Sequence, residues 1–390
     1  MGCKVALGEI CSFSRGASIP RARMLDRGDY LYIHYGDLYK GFDVRIDVED
    51  PQKPIPYIAD SESIREGQRL SDQDIVYVLT SETVEDLGHA FLFNNPGKLP
   101  AVAGTETTIV HVNRPDLVLP SYLNWLFQSA RFKRLLRQYV KGMKVFRVHP
   151  DDLARIEIEI PSIDDQRRIV SILDAIFERS LINSQINGYL TELQKTIYRQ
   201  FLNEASGLFH EGTLSELVEV RYGKDHKKLG GGTIPVYGSG GFMRYADSAL
   251  YKGEAVLIPR KGTLNNVMYV NEEFWTVDTM FYAVPKAQGA AKYAYQFLRK
   301  LDLASMNSGS AVPSMTTKIL NALNLPIPSA SDLKTLDVKL EPLFETQRMC
   351  DRESERLSSL RDALLPKLMS GEIDVSKVGL TQLNSHLSGC

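Results

Sequence analysis

Residues 161–177 read PSIDDQRRIVSILDAIF, and residues 328–344 read PSASDLKTLDVKLEPLF, 167 positions further on. Held at that offset, segments 153–202 and 320–369 are identical at ten of fifty positions, against about three expected from average composition. The identities include Ile160/Ile327, Pro161/Pro328, Ser162/Ser329, Asp165/Asp332, Phe177/Phe344, Leu190/Leu357 and Leu193/Leu360. Other pairs keep their apolar class, as in Ile169/Leu336, Ile176/Leu343 and Ile197/Leu364. The chain therefore contains an internal duplication.

Each copy opens a helix. A strand-like alternation, RIEIEIP (155–161) or LNLPIP (323–328), stops at a proline, and a Ser-x-x-Asp capping box follows at Ser162–Asp165 and Ser329–Asp332. Beyond the cap, Ile172, Ile176, Ile186, Leu190, Leu193 and Ile197 step by threes and fours, with Arg179 and Asn183 at the intervening seam positions. The second copy gives Leu343, Thr346, Cys350, Leu357, Leu360 and Leu364 in the same register. So narrow an apolar stripe is the pattern of a coiled-coil seam. A helix from about 166 to 202 is roughly 55 Å long at 1.5 Å per residue. It cannot bury its stripe alone, and its natural partner is its own copy; two amphipathic helices in separate cores are the plainer alternative. Pro366 and Gly371 are expected to close the second helix.

The segments before each helix echo one another more faintly. Leu7, Glu9 and Gly16 match Leu214, Glu216 and Gly223 at offset 207, while Gly142 and Val145 match Gly309 and Val312 at offset 167. The first copy thus carries 40 extra residues, many of them in the Pro-rich stretch from about 40 to 69. Short strands are predicted over 74–79, 107–112, 255–259 and 280–285, with one amphipathic helix per module at 121–139 and 291–301. The expected fold class is mixed α/β: two globular modules separated by two long antiparallel coiled-coil helices, with an internal pseudo-two-fold repeat. The expected boundaries are 1–160, 161–206, 207–328 and 329–390.

Composition narrows the function. A chain of 390 residues suits two or three domains, and 43% hydrophobic with 24% charged residues is globular in proportion. The sequence shows no apolar h-region at its start and no run of 18 apolar residues, so a cytoplasmic protein with no membrane contact is expected. Cys3, Cys11, Cys350 and Cys390 lie far apart without a CxxC, which predicts reduced thiols and no zinc site. The seven histidines fall in no metal spacing; phosphate-loop, dinucleotide, amino-methyltransferase and HExxH motifs are absent, and no catalytic constellation emerges.

Charge is informative once divided. Residues 1–150 carry a net +1 and 212–328 a net +4, leaving −7 for the helical remainder. From Leu117 to Pro150 there are seven cations (Arg131, Lys133, Arg134, Arg137, Lys141, Lys144, Arg147) and no acid. Such a face suits phosphate contact, with a solvated helix surface as the alternative. The run continues into KGMKVFR (141–147), a glycine-bearing loop with cations at its tip. In the second module YGKDHKKLGGG (222–232), PVYGSGG (235–241) and PRKGTLNN (259–266) combine glycines with Lys, Arg, Ser and Asn donors. Arg and Lys bridge guanine and Asn bridges adenine in the major groove. The candidate DNA-binding residues are Arg15, Arg134, Lys141, Lys144 and Arg147 in the first module, and Lys224, Lys227, Ser239, Arg260, Lys261 and Asn265 in the second.

The order of these parts, with IEIPSIDDQRRIVSILDAI (158–176), VLIPRKGTLNNVMYV (256–270), FWTVDTMFY (274–282) and SLRDALLPKLMSGEI (359–373), resembles the specificity subunit of type I restriction-modification enzymes over nearly the whole chain. One departure is Asp332-Leu333 where the first copy has Asp165-Gln166. The resemblance implies two target-recognition domains on a helical ruler that read a divided, asymmetric site in double-stranded DNA. It implies a non-catalytic chain without a cofactor of its own, docked by two methyltransferase subunits and, where present, by restriction/translocase subunits. S-adenosylmethionine, ATP and magnesium would sit on those partners. A coiled-coil scaffold whose modules bind protein, and an enzyme acting alone on DNA, are the alternatives.

Overall fold

The computed structural model describes residues 3–39, 41–60, 62–84, 86–204, 209–306 and 314–377. Gly309, Val312, Cys390 and the tail 378–390 lie outside them. The chain divides into two compact units, Met1–Leu181 with Ser354–Cys390, and Ile182–Glu353. Each contains one α/β module and a stretch of both long helices.

The faint echo at offset 207 and the strong one at 167 meet in one ladder. Cys3–Ala6 pairs with Glu157–Ile160 in the register Cys3↔Ile160, and His210–Thr213 pairs with Asn324–Ile327 in the register His210↔Ile327. A one-turn helix follows each, Leu7–Ile10 and Leu214–Leu217. In the first, the Ala6 amide donates to Glu9 Oε2 (3.3 Å); in the second, the Thr213 amide donates to Glu216 Oε1 (2.9 Å). The matching glycines have a matching cause. A Cβ on Gly16 would sit 1.9 Å from the Gly104 carbonyl oxygen, and one on Gly223 would sit 2.0 Å from that of Val277.

The main sheets share five strand positions. In the first unit the order is Cys11–Arg15, Thr107–Val112, Ile75–Val78, His89–Asn94, Arg45–Asp47, antiparallel except for the last pair. In the second it is Val218–Tyr222, Met280–Pro285, Tyr251–Pro259, Met268–Thr276, Ile234–Gly238, again with only the last of these joints parallel. Two differences fall outside this frame. Gly241–Ala246 adds a sixth strand to the second sheet, and the first unit has a separate small sheet of Tyr57–Ile58, Tyr30–Ile33 and Ala101–Ala103 that uses part of its extra length. The helix expected over 121–139 is two, Pro120–Gln128 and Ala130–Arg137. Ser129 between them has ψ 141°, outside the helical region, and its hydroxyl accepts from the Phe132 amide as the N-cap of the second.

Both long helices form as the capping boxes foretell. Asp165 and Asp332 donate their amides to Ser162 Oγ and Ser329 Oγ at 3.2 Å, and each serine returns a bond to the carboxylate. The first helix is Ile163–Glu204, 42 residues and about 63 Å long. The second is Ala330–Ser370; Gly371 ends it at φ 74°, whereas Pro366 lies inside it and does not stop it. The departure at Gln166 has a local reason. Its buried amide donates to the Leu117 and Pro161 carbonyls and accepts from the Leu119 amide, whereas Leu333 is buried in the apolar core of its own unit.

The helices are not free rods beside the modules. Ile169, Ile172, Leu173 and Ile176 share one core with Leu357, Leu365, Leu368 and the module's Tyr122 and Trp125. In the second unit Tyr198, Phe201, Leu336, Leu340 and Phe344 share a core with Leu214, Phe281 and Tyr293. Polar pins repeat at the same addresses. Trp125 Nε1 donates to Asp174 Oδ1 (2.7 Å), and 167 positions on Lys292 Nζ meets Glu341 Oε2 (2.5 Å), with Asp337 (2.6 Å) and Glu254 (2.8 Å) completing the cluster. Burial alone would push the Lys292 ammonium down, but the three carboxylates outweigh it and hold it well above its ordinary value.

The antiparallel pairing shows directly in the second unit. Asn183 Nδ2 reaches Glu353, Asn187 Nδ2 reaches Asp351, and Gln194 Nε2 reaches Gln347, so one helix ascends as the other descends. The expected seam has Ile172, Ile176 and Leu357 buried, and Ile197, Leu343 and Leu364 packed on the cores. Ile186 and Leu190 are half-buried. It is wrong at Leu193 and Leu360, 46% and 43% exposed; the buried neighbour of the former is Gln194. A strict 3.5-residue repeat drifts from a straight 3.6-residue helix by about 20° per heptad, so from Ile172 to Leu193 it falls behind by about 60°, more than half a residue step.

Candidate nucleic-acid interface

In the first module the KGMKVFR stretch is a tight hairpin. Lys141 and Arg147 exchange backbone bonds of 2.9 and 2.8 Å, and Gly142 turns the chain at φ 119°, where a Cβ would lie 2.0 Å from the Val145 carbonyl oxygen. Met143 is 94% exposed at the tip, beside exposed Lys144. Lys141 Nζ is tied to Asp152 (2.6 Å), which holds that carboxyl below its ordinary range. The returning strand Phe146–Arg147 pairs with Thr80–Ser81. There Arg147 Nη2 meets Glu106 Oε1 at 3.2 Å, and Arg15 Nη2 meets His149 Nδ1 at 3.3 Å.

These four side chains line one open cleft of about 330 Å³ with Ser18, Thr80 and Thr105. Arg15 and Arg147 are thereby brought together. Arg134 does not line the cleft; it is exposed on Ala130–Arg137, where Lys133 is half-buried and burial lowers its ammonium.

The second module builds its rim from three loops. Lys224 and Lys227 are exposed on a loop that Arg244 clamps, donating from Nη2 to the His226 (2.6 Å) and Leu229 (3.3 Å) carbonyls and from Nε to His226 Nδ1 (3.3 Å). Trp275 Nε1 secures the Lys224 carbonyl at 2.8 Å. Arg244 lies on the hairpin whose exposed Phe242 and Met243 follow Gly241. Asn266 Nδ2 donates to the Ser239 carbonyl (2.9 Å), joining this hairpin to the loop after Pro259. Arg260 lies over the Tyr222 ring, 5.6 Å from its centroid, and Lys261 is exposed opposite Ser314. Asn265 is otherwise engaged. Its Nδ2 donates to Asp302 (3.0 Å) and its Oδ1 accepts from the Ala304 amide (3.0 Å), so it holds a turn.

Sequence reasoning named the cations and missed Glu106, His149, Thr80 and Arg244. Glu106 is an acid on a face read for its bases, and Arg244 acts on carbonyls across a hairpin; neither leaves a spacing signal. Among the described residues, Glu254, Asp337 and Glu341 form one carboxylate group close enough for a metal ion, but Lys292 sits at its centre. No described helix is long and apolar enough to cross a membrane.

No curated protein sequence matches this one. Among solved structures, the chain is similar to the S subunit of a type I restriction-modification system from M. genitalium, at TM-score 0.62 and 16% identity over 94% of this chain and 96% of that one. The HsdS subunit from Thermoanaerobacter tengcongensis aligns over 95% and 97% at 16% identity, with a TM-score of 0.34. At such identities the first likeness speaks for the fold. The type I restriction modification DNA specificity domain matches residues 3–192 and 208–346, most of the chain and both of its modules. With two such domains in tandem, the chain belongs to the type I restriction modification DNA specificity family.

Proposed function

We propose that this chain reads a divided DNA site, one half per module, and that the two halves differ in sequence. The single observation that carries the reading is the pair of sheets with five matching strand positions and unlike rims, an Arg15–His149 and Arg147–Glu106 set in one and an Arg260–Tyr222 stack with a lysine-bearing loop in the other. One frame with two chemistries suits two unlike half-sites, and rims of exposed Arg and Lys suit a phosphate-bearing partner. The long helix pair serves as the spacer that leaves unread bases between the halves.

On this reading the chain supplies recognition and no bond-making step of its own. Methylation, and cleavage where it occurs, belong to docked modification and restriction subunits that carry S-adenosylmethionine, ATP and magnesium, in the cytoplasm where the host DNA lies. Long-read sequencing of host DNA with and without the gene tests it. A methylated motif of two dissimilar parts around a fixed gap should vanish with the gene; a methylation pattern independent of the gene would refute the reading.

A further inference from the structure

We propose that both modules read bases from the same backbone address, and that in the first module Glu106 is the positioning residue that holds Arg147 against a guanine. The inference rests on the DNA-reading function above and names its specificity-determining residues.

The address follows from strand register. Thr107 pairs with Val78 where the two central strands of the first sheet meet, and Met280 pairs with Pro259 at the same joint of the second. The positions just beyond are Leu79–Thr80 and Arg260–Lys261. A crossing segment then closes each rim: Arg147 pairs with Thr80, and Ser314, 167 positions after Arg147, is bridged to Lys261. The strands ending at Arg15 and Tyr222 bring in the third side. One backbone frame thus holds Arg15, Thr80 and Arg147 in the first module and Tyr222, Lys261 and Ser314 in the second. The cation and the hydroxyl have exchanged sides, Arg147 opposite Thr80 and Lys261 opposite Ser314. Swapped donors on a conserved frame place different hydrogen-bond patterns at the same point of the groove.

Arg147 and Arg260, the latter next to Lys261, are held by different devices. Arg260 lies over the Tyr222 ring, and its Nη1 donates to the Asp278 carbonyl (3.4 Å). Arg147 is held by Glu106, and Glu106 has φ 60°, a left-handed conformation that a glutamate adopts at a cost. The turn enforces it: Thr107 Oγ1 donates to the Gly104 carbonyl (2.6 Å), and the Thr105 amide donates to the buried Tyr32 hydroxyl (3.3 Å). A non-glycine residue held in this conformation beside the cleft, with its carboxylate on Arg147, fits a positioning role. With one guanidinium nitrogen on Glu106, the planar fork is oriented before DNA arrives, as two-bond recognition of guanine O6 and N7 requires.

The test restores a gene-deleted host with wild type, Arg147→Lys, Glu106→Gln, Glu106→Gly or Arg260→Lys, and reads each methylated motif by long-read sequencing. Arg147→Lys should admit other bases at one position of one half-site, its guanine preference falling roughly 5- to 150-fold. Glu106→Gln should relax that same position by less. Glu106→Gly, which relieves the left-handed strain and so keeps the fold, should relax it too, while Arg260→Lys should relax a position in the other half-site only. An unchanged motif would overturn the proposal. So would the wild-type motif methylated less completely throughout, which marks a phosphate or folding role, or relaxation by Glu106 and Arg147 variants at different positions. If wild type itself restored no motif, the DNA-reading function would fall first.

Discussion

At the scale of residues, the module rims are built by side chains that hold other groups in place. Arg244 binds three carbonyls and an imidazole of the loop that carries Lys227, so that loop is positioned without a strand or helix of its own. Removing the guanidinium as Arg244→Ala should raise amide hydrogen exchange across 226–230 and weaken DNA binding, with the sheet amides of Tyr251–Pro259 unchanged. Unchanged exchange in the loop would show that Arg244 is not its anchor. Residues of this kind were the least legible from sequence. Arg15, Lys144, Arg147, Arg260 and Lys261 stood out as cations beside glycines, and the structure places them on the module rims. Glu106 and Arg244 act across strands, and only register reveals what they touch. Asn265 shows the converse: a residue type that can read adenine spends its amide on the turn at Asp302 and Ala304.

At the scale of elements, the helix pair combines apolar ends with an amide-rich middle. Ile169, Leu173 and Ile176 give way to Asn183, Asn187 and Gln194, of which Gln194 bonds both Gln347 and Gln296. A polar layer in a seam fixes register at some cost in stability. Gln194→Leu alone takes the partner from the buried Gln296 Nε2 and from the half-buried Gln347 Oε1 and should cost about 1–3 kcal/mol. Gln194→Leu with Gln347→Leu should cost less than the sum of the two single changes, and a double-mutant cycle on thermal unfolding measures the difference. Additive costs would mean the two amides do not depend on each other. The capping serines, the helices and their pairing were legible because Ser162 and Ser329 recur with the same chemistry. The seam was legible to within one residue, since a repeat counted in heptads cannot follow the drift of a straighter helix. The pins at Trp125/Asp174 and Lys292/Glu341 escaped an identity comparison, because donor and acceptor survived while the residues changed.

At the scale of the whole molecule, duplication explains both likeness and difference. The paired ladders at Cys3↔Ile160 and His210↔Ile327, and the glycines Gly16 and Gly223, keep two copies of one frame. Loops outside that frame, including the hairpin around Met243 and the small sheet at Tyr30–Ile33, set the copies apart. The loops were the less legible part because a turn's sequence does not state which strand edge it will meet. If the modules read independently and the helices only space them, lengthening the helices must leave both half-sites alone. Inserting four residues after Asn187 and four after Cys350 adds about 6 Å to each helix, just under two base-pair rises. The methylated motif of a host carrying this longer chain should keep the same two specific parts and gain unread bases between them. The same gap as the wild type, or a change in the bases of either part, would contradict the account.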